Sequence, residues 1–374
     1  MLKPDQLNAF AEKVKDSGFP LEHWASSLLR NAGWVVTTNR YYIDSDNKKP
    51  RELDIVAFKE KHLGRFKVRT VLLLSCKKSQ NSAWGFLRRP FLFEQNQINL
   101  FPVMATSKVP SVNYSLRSWE WPAKFCRFMS EKGLSDWFGV PKHDVFARQQ
   151  FSLVDAKAKL TDEAMHSSTM QLIKAQAYEM LGSKKNDALE VTQFNLISLT
   201  EGSFVALNFE DNDSIHPEEI SEQVALASYK IENIDHDSRI LYLTKAAFKA
   251  GLERFTELHR LNVEFFSMQD KNFRDGAIFD SERRMVYIQD FISSTSNIVL
   301  QQTQTYSRLP HSVPHINISL NAVVSDIPIV AIAASDPEIL DAAKTSAVKE
   351  RIARDLDHFW GYAAEFKVDV VKII

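Results

Sequence analysis

The chain has 374 residues, 44% of them hydrophobic and 25% charged, which is typical of a folded globular protein with two domains or one enlarged core. Thirteen prolines and eleven glycines are too few for extensive disorder, and two cysteines provide neither a disulfide framework nor a paired metal-ligand spacing. Because neither a signal-peptide core nor an apolar run of about 18 residues is present, we expect a cytoplasmic protein that does not enter a membrane.

The net charge of −1 conceals an uneven distribution along the chain. Residues 1–150 contain 24 lysines and arginines against 14 acids, whereas the remainder contains 22 against 33. A basic half joined to an acidic half indicates that one part faces a polyanion such as nucleic acid. Chance segregation of solvated charges would give the same pattern. The acidic part could instead contact a second copy of the chain or a partner protein.

The predicted elements of the first eighty residues are two helices followed by three strands. Apolar residues at helical spacing predict helices over 3–16 and 20–32, with Pro20 in the first turn of the second. β-branched and aromatic residues predict strands over 34–42 and 52–58. The continuous apolar run at 68–76 is typical of a strand covered on both faces.

The later elements are less regular in pattern. Aromatic residues without a clean period predict irregular structure with short elements over 79–122, and helical spacing predicts a helix over 162–181. Further helices are predicted over 245–261 and 337–366. The remaining predicted elements are strands, at 190–199, 203–209, 225–231, 239–243, 263–268, 284–291, 315–320, 327–333 and 368–373.

Two neighbouring strands carry the residues with the clearest chemistry. Alternate residues of a strand share a face, so Glu52 and Asp54 lie on one face, as do Ser75 and Lys77. If the strands are adjacent, an acidic pair lies opposite a lysine at the end of the sheet. That arrangement can hold a hard divalent cation beside an ammonium group. Asp54, within an apolar strand, needs a partner or a metal.

Each of these residues also has a purely structural explanation. Glu22 could favour the positive end of its helix, and Glu52 could be a surface charge on an edge strand. Lys77 could extend from a strand end to solvent, and Cys76 could pack in the core.

Glu22, the run Leu53-Asp54-Ile55-Val56-Ala57 and the later tripeptide Ser75-Cys76-Lys77 together resemble the PD-(D/E)xK superfamily of metal-dependent nucleases. The similarity is to Mrr-like and related bacterial restriction-type nucleases and covers residues 17–85. It implies an α/β fold with a restriction-endonuclease-like mixed β-sheet flanked by helices and large α+β elaborations. If the helix at 162–181 follows the third core strand, a nuclease-like domain spans 1–265 with an insertion at about 79–160, and 266–374 form a C-terminal extension.

The resemblance also implies a function. We expect Mg²⁺- or Mn²⁺-dependent hydrolysis of phosphodiester bonds, with DNA as the substrate, in a restriction or anti-phage role. Asp54 and Glu22 would bind the metal and Lys77 would act in catalysis. The further candidate metal ligands are Glu52, Glu94 and the main-chain carbonyl of Cys76.

Ser75 stands where the family has Glu or Asp, and a hydroxyl is a poor replacement for a carboxylate as a Mg²⁺ ligand. Three explanations remain open. The acid could have moved to another position, with Glu94 and Glu163 as candidates. Glu22 and Glu52 could suffice with Asp54 and the Cys76 carbonyl. Alternatively, the fold could be retained for binding nucleic acid or a partner protein without cleavage.

A basic, aromatic segment follows the tripeptide. Lys78, Arg88 and Arg89, interleaved with Trp84 and Phe86, are predicted to contact nucleic acid, although a core with solvated charges explains the aromatic residues equally well. A third interpretation of the whole chain is a protein-interaction scaffold that neither binds DNA nor cuts it.

Overall fold

The computed structural model describes residues 2–15, 17–44, 48–79, 81–91, 102–154, 163–183, 188–210, 214–231, 233–306, 316–324 and 327–373. The chain forms two compact units, the first comprising Met1–Val109 and Leu116–Phe266 and the second Pro110–Ser115 and Ser267–Ile374. Nothing in the sequence predicted that the short segment 110–115 belongs to the second unit. Within the described residues, no helix has both the length and the apolar character needed to cross a membrane.

The elements are numbered in chain order. The helices are α1 (Pro4–Lys15), α2 (Phe19–Asn31), α3 (Pro110–Leu116), α4 (Trp121–Glu131), α5 (Ser135–Phe138), α6 (Glu163–Ser183), α7 (Lys245–Ala250), α8 (Leu252–Arg274), α9 (Ser281–Met285), α10 (Ile288–Tyr306), α11 (Pro337–Ala343) and α12 (Ser346–Trp360). The strands are β1 (Val35–Ile43), β2 (Pro50–His62), β3 (Lys67–Lys77), β4 (Ser82–Pro90), β5 (Met104–Ser107), β6 (His143–Ser152), β7 (Glu190–Thr200), β8 (Ser203–Phe209), β9 (Ile215–Ile220), β10 (Glu222–Ile231), β11 (Ile234–Thr244), β12 (Ile316–Val324), β13 (Ile327–Ala334) and β14 (Lys367–Lys372).

A mixed seven-stranded sheet forms the centre of the first unit, in the order β1-β2-β3-β7-β11-β10, with β5 pairing to β7. β2 is antiparallel to both of its neighbours, β1 and β3, whereas β3, β7 and β11 are parallel. The register places Ser75 beside Ser198 and Lys77 beside Thr200. The predicted α/β class with a mixed sheet is therefore confirmed.

Helix α6 lies on the connection between β3 and β7, as a parallel pair of strands requires a crossover. Its residues Met165, Leu172 and Ile173 belong to a core cluster that also contains Leu73 of the large sheet and Trp84 of a second sheet. Apolar residues lie on more than one side of α6 because the helix packs between two apolar surfaces.

The second sheet of this unit has four strands in the order β6-β4-β8-β9. The prediction of irregular structure with short elements over 79–122 did not identify the strand β4, which is paired along its length with β6. Burial of nearly every residue from Ser82 to Leu87 hid the period of two in the sequence. Gly85 is required there because a Cβ would lie 2.3 Å from the ring of Phe151.

Two predicted strands are helical in the structure. Residues 263–268 lie within α8, and residues 284–291 fall in α9 and α10. The aromatic pair Phe265 and Phe266 favours a strand over a short window, but Leu258, Leu261 and Phe265 continue a helical period and are all buried. The predicted helix over 245–261 is two helices that meet at Gly251.

The second unit contains a three-stranded sheet in the order β12-β13-β14, with β12 antiparallel and β14 parallel to β13. Its own core includes Phe291, Val330, Ile352 and Trp360. The single helix predicted over 337–366 is two helices, α11 and α12, and the second ends at Gly361 in the left-handed region at a φ of 65°.

Candidate functional site

The candidate site lies where two paired strands of the large sheet separate. The register of β2 against β3 runs from His62 opposite Lys67 to Ile55 opposite Leu74. Beyond that point β2 remains paired with β1, and β3 remains paired with β7 as far as Lys77. The separation leaves a gap in the sheet, and the predicted site residues of both strands lie at that gap.

Asp54 spans the gap through both of its carboxylate oxygens. Its Oδ2 accepts a hydrogen bond of 2.6 Å from the main-chain N–H of Cys76, and its Oδ1 accepts one of 3.1 Å from Nε2 of Gln171. The N–H of Cys76 thus binds a side chain of β2 where the strand pairing has ended. A carboxylate has about four acceptor positions, so each oxygen retains one for a further ligand.

Gln171 on α6 joins the two strands through its single amide group. Its Nε2 also donates to the main-chain carbonyl of Glu52 at 2.6 Å. Its Oε1 accepts from Oγ of Ser75 at 2.7 Å and from Nζ of Lys77 at 3.2 Å. Ser75 and Lys77 therefore share a face, as predicted, and that face is turned towards α6. The fully buried Ser75 hydroxyl has an amide as its partner.

Sequence reasoning missed Gln171, although a signal was present. The residue lies between Met170 and Leu172 in the most apolar part of the predicted helix, where an amide needs a partner. It follows Ser168 by three positions, and Ser168 also bonds to the sheet, at 2.8 Å from Oγ of Ser198. The two polar residues mark the face of α6 that lies over the sheet.

Glu22 on α2 belongs to the same electrostatic group. Burial raises the pKa of its carboxyl, and the charges of Asp54 and Glu52 raise it further, while Lys77 opposes them. Among the described residues, the Glu22 carboxylate has no hydrogen-bond donor. Two neighbouring carboxylates thus disfavour the charged form of Glu22 and Lys77 favours it, and a cation bound near Glu22 would also favour the charged form.

Cys76 contributes a main-chain group to the site and not a thiolate. The side chain is buried, and burial together with the charges of Asp54 and Glu22 raises its pKa well above the usual range for a thiol. Its sulfur is therefore protonated and a poor metal ligand. Glu52 is partly buried, and its Oε2 accepts a hydrogen bond of 3.3 Å from the hydroxyl of Tyr41.

The two acids considered as replacements for the missing family carboxylate are not described by the structure. Glu94 lies outside the described residues, and so does the side chain of Glu163. The described group that faces Ser75 is the amide of Gln171.

The predicted nucleic-acid contacts are in different surroundings. Lys78 lies beside the site, where its Nζ donates to the main-chain carbonyl of Lys15 at 2.7 Å. Arg89 is exposed and pairs with Asp144 at 2.9 Å. Arg88 is only 8% exposed, so the prediction that it lies on an open phosphate-binding face was wrong. Its guanidinium binds three side chains of the first unit, those of Asn208, Glu218 and Gln223.

The carboxylates fit a metal that needs few protein ligands. No group of three or more His, Cys, Asp or Glu side chains is close enough to hold a metal ion, within the part of the chain that the structure describes. Mg²⁺ is commonly bound through one or two carboxylates, with water and substrate phosphates as its other ligands. Glu22 and Asp54, with the carbonyl of Cys76, correspond to such a set.

Comparison with known proteins identified no similar protein. No family model, no curated protein and no solved structure matches the chain.

Proposed function

We propose that the protein is a metal-dependent nuclease that hydrolyses phosphodiester bonds in DNA, with a restriction-endonuclease-like core and a role in restriction or anti-phage defence. The observation that carries this proposal is the convergence of Glu22, Asp54 and Lys77, from three separate elements, at the gap between β2 and β3. The basic first 150 residues support a polyanionic substrate.

Glu22 and Asp54 would hold Mg²⁺ or Mn²⁺, together with the main-chain carbonyl of Cys76. The bound ion would polarise the scissile phosphate and lower the pKa of an attacking water. Glu22 supports this assignment because none of the described residues donates a hydrogen bond to its carboxylate, which leaves its oxygens available to a cation.

The other roles in the proposed reaction belong to groups of the protein itself. The ammonium group of Lys77 offsets the negative charge that develops on the phosphate in the transition state. Gln171 fixes the position of Lys77 relative to Asp54, because one amide binds both groups. The N–H of Cys76 holds the Asp54 carboxylate in the orientation required for binding a cation.

Cleavage of supercoiled and linear DNA in the presence of Mg²⁺ or Mn²⁺ tests the proposal. Asp54→Asn and Lys77→Met each remove one charge from the site, and we expect each to reduce the rate by about 100-fold or more. Lys344→Met is the control, because it also removes one positive charge, from an exposed lysine that pairs with Asp341 in the second unit. Equal rates in all four proteins, or a product that forms without added metal, would exclude this assignment.

A second candidate function is binding of nucleic acid without cleavage. Ser75 favours this function because a hydroxyl stands where the PD-(D/E)xK family has a carboxylate. Asp54 favours it because both of its oxygens already accept hydrogen bonds from other groups of the chain. This function predicts DNA binding in EDTA that weakens steeply between 50 and 200 mM salt (about 1,000-fold for six phosphate contacts). Fluorescence anisotropy measures it. Asp54→Asn should then bind as the wild type does, and the appearance of a metal-dependent product would rule this candidate out.

A further inference from the structure

A small cavity in the first unit lies away from the candidate nuclease site. It has a volume of about 30 Å³, and its walls come from β5, β7, β11, α4, α5, α6 and α8. A water molecule needs about 10–15 Å³ of such volume, so the cavity holds only a few non-hydrogen atoms. Much of its wall is aromatic, including Phe125 and Phe255, and Arg239 of β11 also lines it.

No carboxylate among the described residues balances the charge of Arg239. Its Nη1 donates to the main-chain carbonyl of Trp137 at 3.2 Å, and its Nη2 lies 3.7 Å from Sγ of Cys126. Its Nε is buried without a hydrogen-bond partner. Burial raises the pKa of the Cys126 thiol, so the sulfur is neutral. An arginine does not lose its proton in a protein, and its charge here remains uncompensated by the described residues.

Two further groups at the cavity are hydrogen-bond donors without acceptors. The indole Nε1 of Trp137 is buried and unpaired. The Oε1 of Gln176 accepts from the hydroxyl of Ser238 at 2.9 Å, whereas its Nε2 has no acceptor among the described residues. Buried donors are normally paired, and two buried donors at this cavity, Nε of Arg239 and Nε1 of Trp137, have no partner among the described residues, which favours a bound group that accepts hydrogen bonds.

We propose that this cavity binds a small monovalent anion, of the size of formate, nitrate or chloride, with Arg239 as its principal ligand. The charge of the guanidinium selects an anion over water, and the indole of Trp137 and the amide of Gln176 supply further donors. The volume of about 30 Å³ matches an anion of only a few non-hydrogen atoms. The site is independent of the proposed nuclease activity, because none of the three donors contacts Asp54 or Lys77.

Thermal unfolding of the full chain at constant ionic strength tests the proposal. Sodium formate is titrated against sodium gluconate, whose anion is too large for the cavity. We expect formate to raise the Tm saturably, by about 2 °C or more, in the wild type. Arg239→Met should abolish the response, and it should have a higher Tm than the wild type in gluconate because it removes an uncompensated charge. Arg260→Met is the control, since it removes an exposed arginine that pairs with Glu257 and Glu264.

Each result of the formate titration either supports or overturns the anion site. A saturable response to formate that is lost in Arg239→Met and kept in Arg260→Met supports the site. Equal responses in all three proteins, or no difference between formate and gluconate in the wild type, overturn it. If Arg239→Met fails to fold, Arg239→Lys is measured instead. A half-saturating formate concentration in Arg239→Lys that exceeds the wild-type value by less than about threefold overturns the assignment. Crystals of the wild type soaked in bromide give a direct reading, because an anomalous peak beside Arg239 supports the site and its absence contradicts it.

Discussion

Acidification is expected to weaken the contact that holds α8 against β3, the strand that carries Ser75 and Lys77. Nδ1 of His259 lies 3.0 Å from the hydroxyl oxygen of Thr70, and Nδ2 of Asn262 donates to that same oxygen at 2.8 Å. The single proton of the hydroxyl is therefore free to point at the histidine, whose Nδ1 must be unprotonated to accept it. Burial lowers the pKa of His259 to about 4, and the nearby charge of Lys59 acts in the same direction.

The magnitude follows from the difference between the folded and unfolded states. In the unfolded chain His259 has a pKa of about 6.5, so between pH 6.5 and 4 only the unfolded state takes up a proton. The stabilisation is complete above pH 6.5 and is lost as the pH falls towards 4. A difference of roughly 2.5 pH units corresponds to at most about 3 kcal/mol, and about 2 kcal/mol of it is lost by pH 5. Partial exposure of the ring reduces this to roughly 1–2 kcal/mol.

Urea unfolding of the wild type and of His259→Gln at pH 7, 6 and 5 measures the effect. Glutamine still offers an oxygen to the Thr70 hydroxyl but does not titrate, so the carboxylates of the protein contribute equally to both curves. We expect the free energy of unfolding of the wild type to fall by roughly 1–2 kcal/mol more than that of the variant between pH 7 and pH 5. Parallel losses in the two proteins would refute the argument that His259 is neutral because of its burial.

Three other predictions concern the site and the sheets. Gln171→Leu leaves Ser75 and the carbonyl of Glu52 unpaired, and we expect urea unfolding to show a loss of about 2–4 kcal/mol; a change below about 1 kcal/mol would contradict the bridging role. Because the pKa of Glu22 is raised, Glu22→Gln should stabilise the metal-free protein at pH 8 and lose that advantage as the pH falls to 4; a variant less stable than the wild type at pH 8 would argue against it. On the proposed function, Mg²⁺ should raise the Tm of the wild type more than that of Glu22→Gln. Gly85→Ala should cost about 1–3 kcal/mol or more, because its Cβ would overlap the ring of Phe151, and an unchanged Tm would disprove the close contact.

The local sequence was sufficient for the elements of the first eighty residues. β-branched and aromatic content predicted β1 and β2, a continuous apolar run predicted β3, and the alternation of a strand predicted that Ser75 and Lys77 share a face. The apolar neighbours of Asp54 indicated a carboxylate that needs a partner, and the structure supplies the N–H of Cys76 and the amide of Gln171. These conclusions depend on residues close together in the chain, so their physical cause is visible in the sequence.

Two later elements could not be predicted in the same way. The strand β4 is buried on both faces and so lacks the alternation of a strand, and the aromatic residues after Leu261 favour a strand over a short window although they lie within α8. Their conformations are decided by packing against other elements, which overrides local propensity.

The partners of the site were decided by the tertiary structure alone. Gln171 is 96 residues from Ser75 in the chain and meets it only because α6 crosses the face of the sheet between β3 and β7. The raised pKa of Glu22 likewise depends on α2 bringing it near Asp54 and Glu52. The sequence by itself identified Glu22, Asp54, Ser75 and Lys77 as candidate residues, and it did not identify Gln171. Their hydrogen bonds and charges depend on distances between elements far apart in the chain, and only the folded sheet sets those distances.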